Sequence, residues 1–163
     1  MHLKILKKEF YDKIYISFYH FRVMKIRLAN KEDFKLFVPI KREFNKEYRI
    51  SEKSEKFILD EFEDYLNKGT ILVAIVDSKI IGYLAGIIEE NLYEKFGYVG
   101  EVFVSKEFRN KGISTKLKDK FIVFLKEKNV NLCRIDVKPD NPSQEAYKKW
   151  GFKLDKYRMS LNL

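Results

Sequence analysis

Hydrophobic residues along this chain recur with two periods, and the switches between them mark out its elements. Over residues 1–23, Leu3, Leu6, Phe10, Ile14, Phe18 and Phe21 return every three or four positions, the spacing of one helix face. From Met24 the stretch "MKIRLA" alternates and predicts a strand. Asn30 then offers an N-cap to a helix opening "KEDF", with acids in its first turn, running towards residue 47 with Pro39 as a kink or break. Ser51 is expected to cap a second helix with Phe57, Ile58, Phe62 and Leu66 on its apolar side and Gly69 at its end. "TILVAIV" and "KIIGYLAGII" are β-rich runs around a short turn at Asp77-Ser78, and "YVGEVFV" is a further strand. Next comes a helix with Ile113, Leu117, Phe121, Phe124 and Leu125 on one side. After it come the strand "LCRIDV", a short helix in "NPSQEAYKKW" capped at Asp140 or Asn141 and stopped by Gly151-Phe152, and a last strand in "YRMSLNL".

The early strands suit antiparallel pairing, and the strand–helix–strand step over 98–137 suits a parallel crossover. The predicted fold class is therefore α/β (α+β), a mixed, mostly antiparallel twisted sheet of six to seven strands with helices on both faces. With 163 residues and no repeat, low-complexity tract or linker, one domain over 24–163 accounts for the chain, preceded by an extension over 1–23. That extension reads as a helix covering an apolar patch, as the product of start-site choice with translation beginning at Met24, or as a membrane-surface helix.

Composition narrows the chemistry. No apolar run approaches the roughly 18–20 residues that span a bilayer, and no clean apolar segment with a small-residue cleavage site opens the chain. The single cysteine, Cys133, excludes an internal disulfide and fits a reducing, cytoplasmic setting. Histidine occurs only at positions 2 and 20, so no metal site is expected and a Ser-His-Asp triad would have to recruit His20 from the extension. The net charge of +9 is spread along the chain, with lysines usually beside glutamates. That pattern reads as solvated helix faces and argues against a nucleic-acid stripe, which would cluster lysines around exposed aromatics. Nothing sets the oligomeric state, and a homodimer stays open.

The stretch "FRNKGISTKL" places Gly112, one of only seven glycines, where a helix begins. A helix N-terminus presents unpartnered N–H groups and a partial positive charge, and a small-residue approach lets a phosphate reach them. Arg109 and Lys111 add charge and Ser114 a small hydroxyl. A plain strand-to-helix turn relieved by one glycine satisfies the same residues.

The two segments "VFVSKEFRNKGISTKL" and "DVKPDNPSQEAYKKWGFK" together resemble the GNAT superfamily of N-acetyltransferases, over about residues 24–163. The family signature, Arg/Gln-x-x-Gly-x-Gly/Ala after a strand, stands here as Arg109-Asn110-Lys111-Gly112-Ile113-Ser114. A second element, Asn-x-x-Ala, an aromatic or apolar residue, Tyr and then Gly-Phe, is matched by Asp140-Asn141-Pro142-Ser143 through Ala146-Tyr147 to Gly151-Phe152. Two positions depart from the pattern: serine stands at 114 in place of Gly or Ala, and the asparagine falls at 141, one place from its usual distance to the tyrosine, where Asp140 stands instead.

The resemblance implies acetyl-CoA as cosubstrate. It implies that the backbone of Arg109, Asn110, Lys111, Gly112, Ile113, Ser114 and Thr115 cradles the diphosphate, with Asn141 and Ser143 contributing. It also implies that Val102, Phe103 and Val104 hydrogen-bond the pantetheine arm, in a slot where the parallel strands "EVFV" and "CRIDV" splay apart. Tyr147 stands where the family places the acid that protonates the departing thiolate, and a phenol of pKa about 10 is well matched to a thiol. A core aromatic with a surface hydroxyl is the alternative. A primary amine of pKa about 10.4 must lose a proton before it attacks. Glu101 is the candidate base because it interrupts an apolar strand, where a carboxylate needs a role or a partner, such as a lysine. Cys133 sits in a core-strand pattern rather than as an acyl carrier.

The acceptor is open: a small molecule, a polyamine or a peptide amine, drawn by Glu43, Glu47, Glu52, Glu55, Glu89, Glu90 or Glu94 if these are more than surface glutamates. The expected function is acetyl transfer to a primary amine. The alternative is a non-catalytic acyl-CoA-binding regulatory domain of the same fold.

Overall fold

The computed structural model describes residues 24–156 and Leu161. The amphipathic pattern over 1–23 and all but one residue of the expected closing strand lie outside the described residues. Five strands form one sheet in the order β1 (Lys25–Leu28), β2 (Gly69–Val76), β3 (Lys79–Glu90), β4 (Lys95–Val104) and β5 (Cys133–Ile135). Every neighbouring pair is antiparallel except β4 and β5, which run parallel. The expected six to seven strands are thus five among the described residues. "LCRIDV" pairs over only three of its six positions.

Among the described residues four α-helices accompany the sheet: α1 (Phe34–Glu47), α2 (Glu55–Lys68), α3 (Ile113–Glu127) and α4 (Gln144–Lys149). The alternation of β2 sends Ile71 and Val73 to one face, where α1 and α2 add Phe37, Ile40, Phe44, Ile58 and Phe62. It sends Leu72 and Ala74 to the other, where α3 adds Ile113, Leu117, Phe121 and Leu125. Both sheet faces are therefore covered, as expected of the near-continuous apolar strands. No helix among the described residues is long and apolar enough to cross a membrane.

Local chemistry sets most boundaries. Asp77 and Ser78 both adopt positive φ, at 49° and 60°, the requirement of the tight hairpin joining β2 to β3. Ser54, not Ser51, caps α2, its hydroxyl accepting from the Phe57 N–H at 3.2 Å. Ser51 lies one turn too early because the chain stays irregular over 51–54. Pro39 leaves α1 unbroken, since six buried residues, among them Phe37, Ile40 and Phe44, anchor both sides of it. Asn30 caps a 3₁₀ turn over Lys31–Asp33 that leads into α1, in a reciprocal box with Asp33.

Two bulges interrupt the ladders. Ile81 of β3 is the extra residue opposite Ala74 and Ile75 of β2, and Gly100 of β4 is the extra residue opposite Ala85 and Gly86 of β3. The second leaves Gly100 between the paired positions Val99 and Glu101, and it turns Glu101 towards the α1–α2 face, beside Tyr83 and Phe103.

Asp33 is almost wholly buried, at 4% exposure, and accepts two bonds from the Arg27 guanidinium at 2.6 Å each and one from the Asn30 N–H at 2.9 Å. The Arg27 hydrogen bonds hold its carboxyl below the usual range, against burial. Asp33→Asn is expected to cost about 2 kcal/mol at neutral pH. Because the folded pKa is lowered, the wild-type advantage is full above the ordinary carboxylate pKa and is lost as pH falls through the folded value. Urea unfolding of both proteins at neutral and acid pH checks this; a gap that does not narrow in acid contradicts it.

Candidate active site

The bulge at Gly100 brings Glu101 into a polar cluster inside the α1–α2 layer. Lys41 on α1 donates to Glu101 Oε1 at 2.5 Å and Tyr83 on β3 donates its hydroxyl to Oε2 at 2.6 Å. The Lys41 ammonium also meets Glu61 Oε2 of α2 at 2.8 Å. The lysine side chain is 4% exposed and the glutamate 12%. Tyr65 of α2 closes the cluster over the bulge: a Cβ on Gly100 would meet its hydroxyl at 2.3 Å, so a side chain there would displace the tyrosine. Burial pushes the Glu101 carboxyl up, while Lys41 and the Tyr83 hydrogen bond pull it down, and burial prevails. Burial, followed by the Glu101 charge, raises the phenols of Tyr65 and Tyr83. Glu101 is thus a carboxyl with a raised affinity for protons, each of its oxygens held by one protein donor.

Motif and period alone do not single out Lys41, Glu61, Tyr65 or Tyr83. A signal for Lys41 exists: it lies among Phe37, Ile40 and Phe44 on the apolar face of α1, where a lysine should not be without a buried partner.

Two further ties run from α1 to the segment after β4. Ser105 donates its hydroxyl to Glu43 at 2.7 Å, and Arg109 binds both carboxylate oxygens of Glu47, at 2.9 and 2.7 Å, and the carbonyl of Val104 at 2.8 Å. The Arg109 guanidinium also lies over the Phe103 ring, 5.4 Å from its centre. The arginine of the expected cradle is therefore matched by protein groups. Lys111 is exposed and reaches back to the Glu107 carbonyl at 3.2 Å.

Beside the exposed side chains of Asn110 and Lys111, the loop presents backbone outward. Asn110 and Gly112 both adopt positive φ, at 61° and 72°. Gly112 is the N-cap of α3, and a Cβ built on it meets nothing within 4 Å. The N–H groups of Ile113, Ser114 and Thr115 belong to the first turn, which by helix geometry has no carbonyl partner within the helix. Ile113 points its side chain into the core, Ser114 is half-buried, and the Thr115 hydroxyl accepts from the Trp150 indole at 3.1 Å.

On β4, Phe103 belongs to the α1–α2 core and Val104 to the α3 core, with Val102 packed beside the latter. The parallel ladder pairs Gly97–Val99 with Cys133–Ile135 and ends there. β4 runs on from Gly100 to Val104 with no strand on that side among the described residues.

Tyr147 lies on α4, which is shorter than expected. Ser143, not Asp140 or Asn141, is its N-cap, because the Asn141 side chain accepts from the Ser143 N–H at 2.8 Å and forms a turn ahead of the helix. The Tyr147 ring packs against Trp150 and Phe152, at centroid distances of 5.4 and 6.5 Å. Burial raises its phenol, with the Ser143 side chain pulling the other way. Trp150 in turn joins α4 to the first turn of α3 through Thr115. Cys133 packs against the α3 core and burial pushes its thiol up to about 11, so it carries no thiolate at neutral pH.

Of the glutamates considered for drawing a cationic acceptor, Glu43, Glu47 and Glu94 bind Ser105, Arg109 and Arg134 respectively.

Comparison with known proteins places the chain. Residues 37–152 match the model of the Acetyltransferase (GNAT) family. An N-acetyltransferase of unassigned role from Archaeoglobus fulgidus is 30% identical over 124 residues, which cover 69% of this chain and 80% of that protein. Among solved structures, an aminoglycoside N-acetyltransferase in complex with CoA superposes with a TM-score of 0.75 at 18% identity, over 86% of this chain and 95% of the other. An acetyltransferase from Clostridium acetobutylicum with acetyl-CoA superposes with a TM-score of 0.72 at 23% identity, over 86% and 96%. The chain belongs to the GNAT acetyltransferase family.

Arg109 and Glu47 are both partly exposed, so solvent screens their pair. A double-mutant cycle with Arg109→Met and Glu47→Gln is expected to give a coupling of about 1 kcal/mol that shrinks at high salt. A coupling of zero would show that this tie contributes nothing to stability.

Proposed function

We propose that this protein transfers the acetyl group of acetyl-CoA to a primary amine, with residues 24–163 as the acetyltransferase domain. The observation that carries the reading is the open N-terminus of α3: a left-handed Gly112 with free space where a side chain would be, ahead of three first-turn N–H groups. Acetyl-CoA bears a diphosphate, the group such a terminus holds. Asn110 and Lys111 border the cradle, and Asn141 and Ser143 line it from the α4 side. The relatives bound to CoA and acetyl-CoA support the same cosubstrate. The end of the parallel ladder at Val99 and Ile135 supports a slot beside Val102, Phe103 and Val104, where the pantetheine amides pair with β4.

Glu101 accepts the proton of the attacking amine. Each of its oxygens takes one protein hydrogen bond and keeps one lone-pair direction, which receives the proton directly or through a water. The amine nitrogen forms the new C–N bond as the C–S bond breaks. The Val102 N–H stabilises the carbonyl oxygen, and Tyr147 gives its proton to the departing thiolate. Holding both substrates together supplies much of the acceleration.

One observation favours a second reading, an acyl-CoA-binding domain without turnover: both carboxylate oxygens of Glu101 are engaged by protein donors. Acetyl-CoA binding with no acetyl transfer across a panel of amines would select it.

Calorimetric titration with acetyl-CoA is expected to show micromolar binding by the wild type and none by Gly112→Trp. The indole would enter open space, at a backbone cost of about 1–2 kcal/mol for leaving glycine at positive φ, so the variant stays folded. Unchanged binding in the variant would sink the cradle assignment, and no binding by the wild type would sink the function. Glu101→Gln is expected to lower turnover by about 10²–10⁴-fold with acetyl-CoA affinity retained. Tyr147→Phe should slow turnover in the same way. Full activity in both would remove the pair.

A further inference from the structure

A lysine ammonium fully enclosed by a protein is rare unless something requires it. Lys41 is enclosed here, and its two ionic partners differ in setting. Glu101 is nearly buried, whereas Glu61 on the far side of the ammonium is 30% exposed. A stabilising ion pair alone would need only one carboxylate. The arrangement instead places a fixed positive charge between the group proposed to accept a proton and a second carboxylate nearer to solvent.

We propose that Lys41 is a positioning residue for the reaction, holding Glu101 as an oriented carboxylate ready to take the amine proton. This rests on the reading of Glu101 as the base. The need arises from the surroundings. From α2, Glu61 and Tyr65 face the carboxyl; from β3, Tyr83; and Tyr98 of β4 lies beside Tyr65. Tyr83 is a neutral donor, Tyr65 and Tyr98 bring phenols, and Glu61 repels. Lys41 is the one cation in this set. Without it, burial and Glu61 both favour the protonated acid, and a protonated Glu101 accepts nothing. The same contact fixes geometry: Lys41 on Oε1 and Tyr83 on Oε2 leave the carboxyl group no free rotation.

Two readouts on the full chain test this. The first is carbon-13 NMR of the glutamate carboxyls, with the Glu101 signal assigned by its loss in Glu101→Gln; it requires no substrate. The second is the pH dependence of acetyl transfer from acetyl-CoA to a simple alkyl primary amine, whose own titration cancels between variants. In Lys41→Met the Glu101 midpoint is expected to move up by about one to three pH units, the size of the effect of a neighbouring opposite charge. The acid limb of kcat/KM should move the same way, with activity lost at neutral pH and partly regained in alkali. Lys41→Arg, which keeps the charge, should restore both in part. If Lys41→Met does not fold, Lys41→Met/Glu61→Gln removes the repelling carboxylate as well. The midpoint should still rise in that variant, because Lys41 acts on Glu101 more strongly than Glu61 does. A midpoint unmoved in a folded Lys41 variant overturns the role of Lys41 alone. Full activity of Glu101→Gln overturns the base assignment, and this role with it.

Discussion

The contact between Lys41 and Glu101 constrains this molecule more than any other. Two opposite charges enclosed between a helix pair and a sheet cannot be separated without leaving one of them unpaired in a poor solvent, a penalty of about 3–5 kcal/mol. That requirement adds to the packing of Phe37, Ile40 and Phe44 in setting how α1 lies on the sheet. Once α1 is fixed, Glu43 reaches Ser105 and Glu47 reaches Arg109, so three ties join one helix to the end of β4 and the loop beyond it. The loop before α3 is therefore held from the sheet side by side chains, and outward it offers backbone beside the exposed Asn110 and Lys111.

The bulge at Gly100 is the counterpart of this constraint on the strand. Were the pairing regular through Gly100, with no bulge, strict alternation from Val99 would turn Glu101 to the α3 face, into the apolar cluster of Leu84, Val99, Leu117 and Phe121. Glycine suits the bulge because a side chain there would have to displace the Tyr65 hydroxyl. One small residue thus decides which layer receives the carboxylate. A single slip in pairing register has this consequence wherever both faces of a sheet are buried.

The charge on Arg109 shows how position changes meaning. In the sequence it reads as part of an anion-binding loop; in the fold it is neutralised by Glu47 and stacked on Phe103. What remains for an anion is the geometry of Gly112 and the first turn of α3. A diphosphate site of this kind would depend on main-chain direction more than on side-chain charge, and serine at 114 leaves that direction unchanged.

Much of this was legible in the chain. Apolar period together with cap and stop residues marked each α-helix and strand of the described region, and the positive-φ demands at Asp77-Ser78 and Gly112 are local properties of turn and helix entry. Glu101 stood out because a carboxylate in an apolar strand must be explained. The boundaries that went astray, Ser51 against Ser54 and Asn141 against Ser143, turned on which of several equivalent caps the chain uses, a choice made by how far each helix extends before it meets its neighbour. What only the tertiary structure decided is the partnership of residues 60 positions apart: Lys41 with Glu101, joined by Glu61 and Tyr83 from two further elements. Local sequence sets the period and the turn. It cannot set the register of a bulged strand or the roll of a helix above it, because those are fixed by packing between elements together with the cost of leaving a buried charge alone.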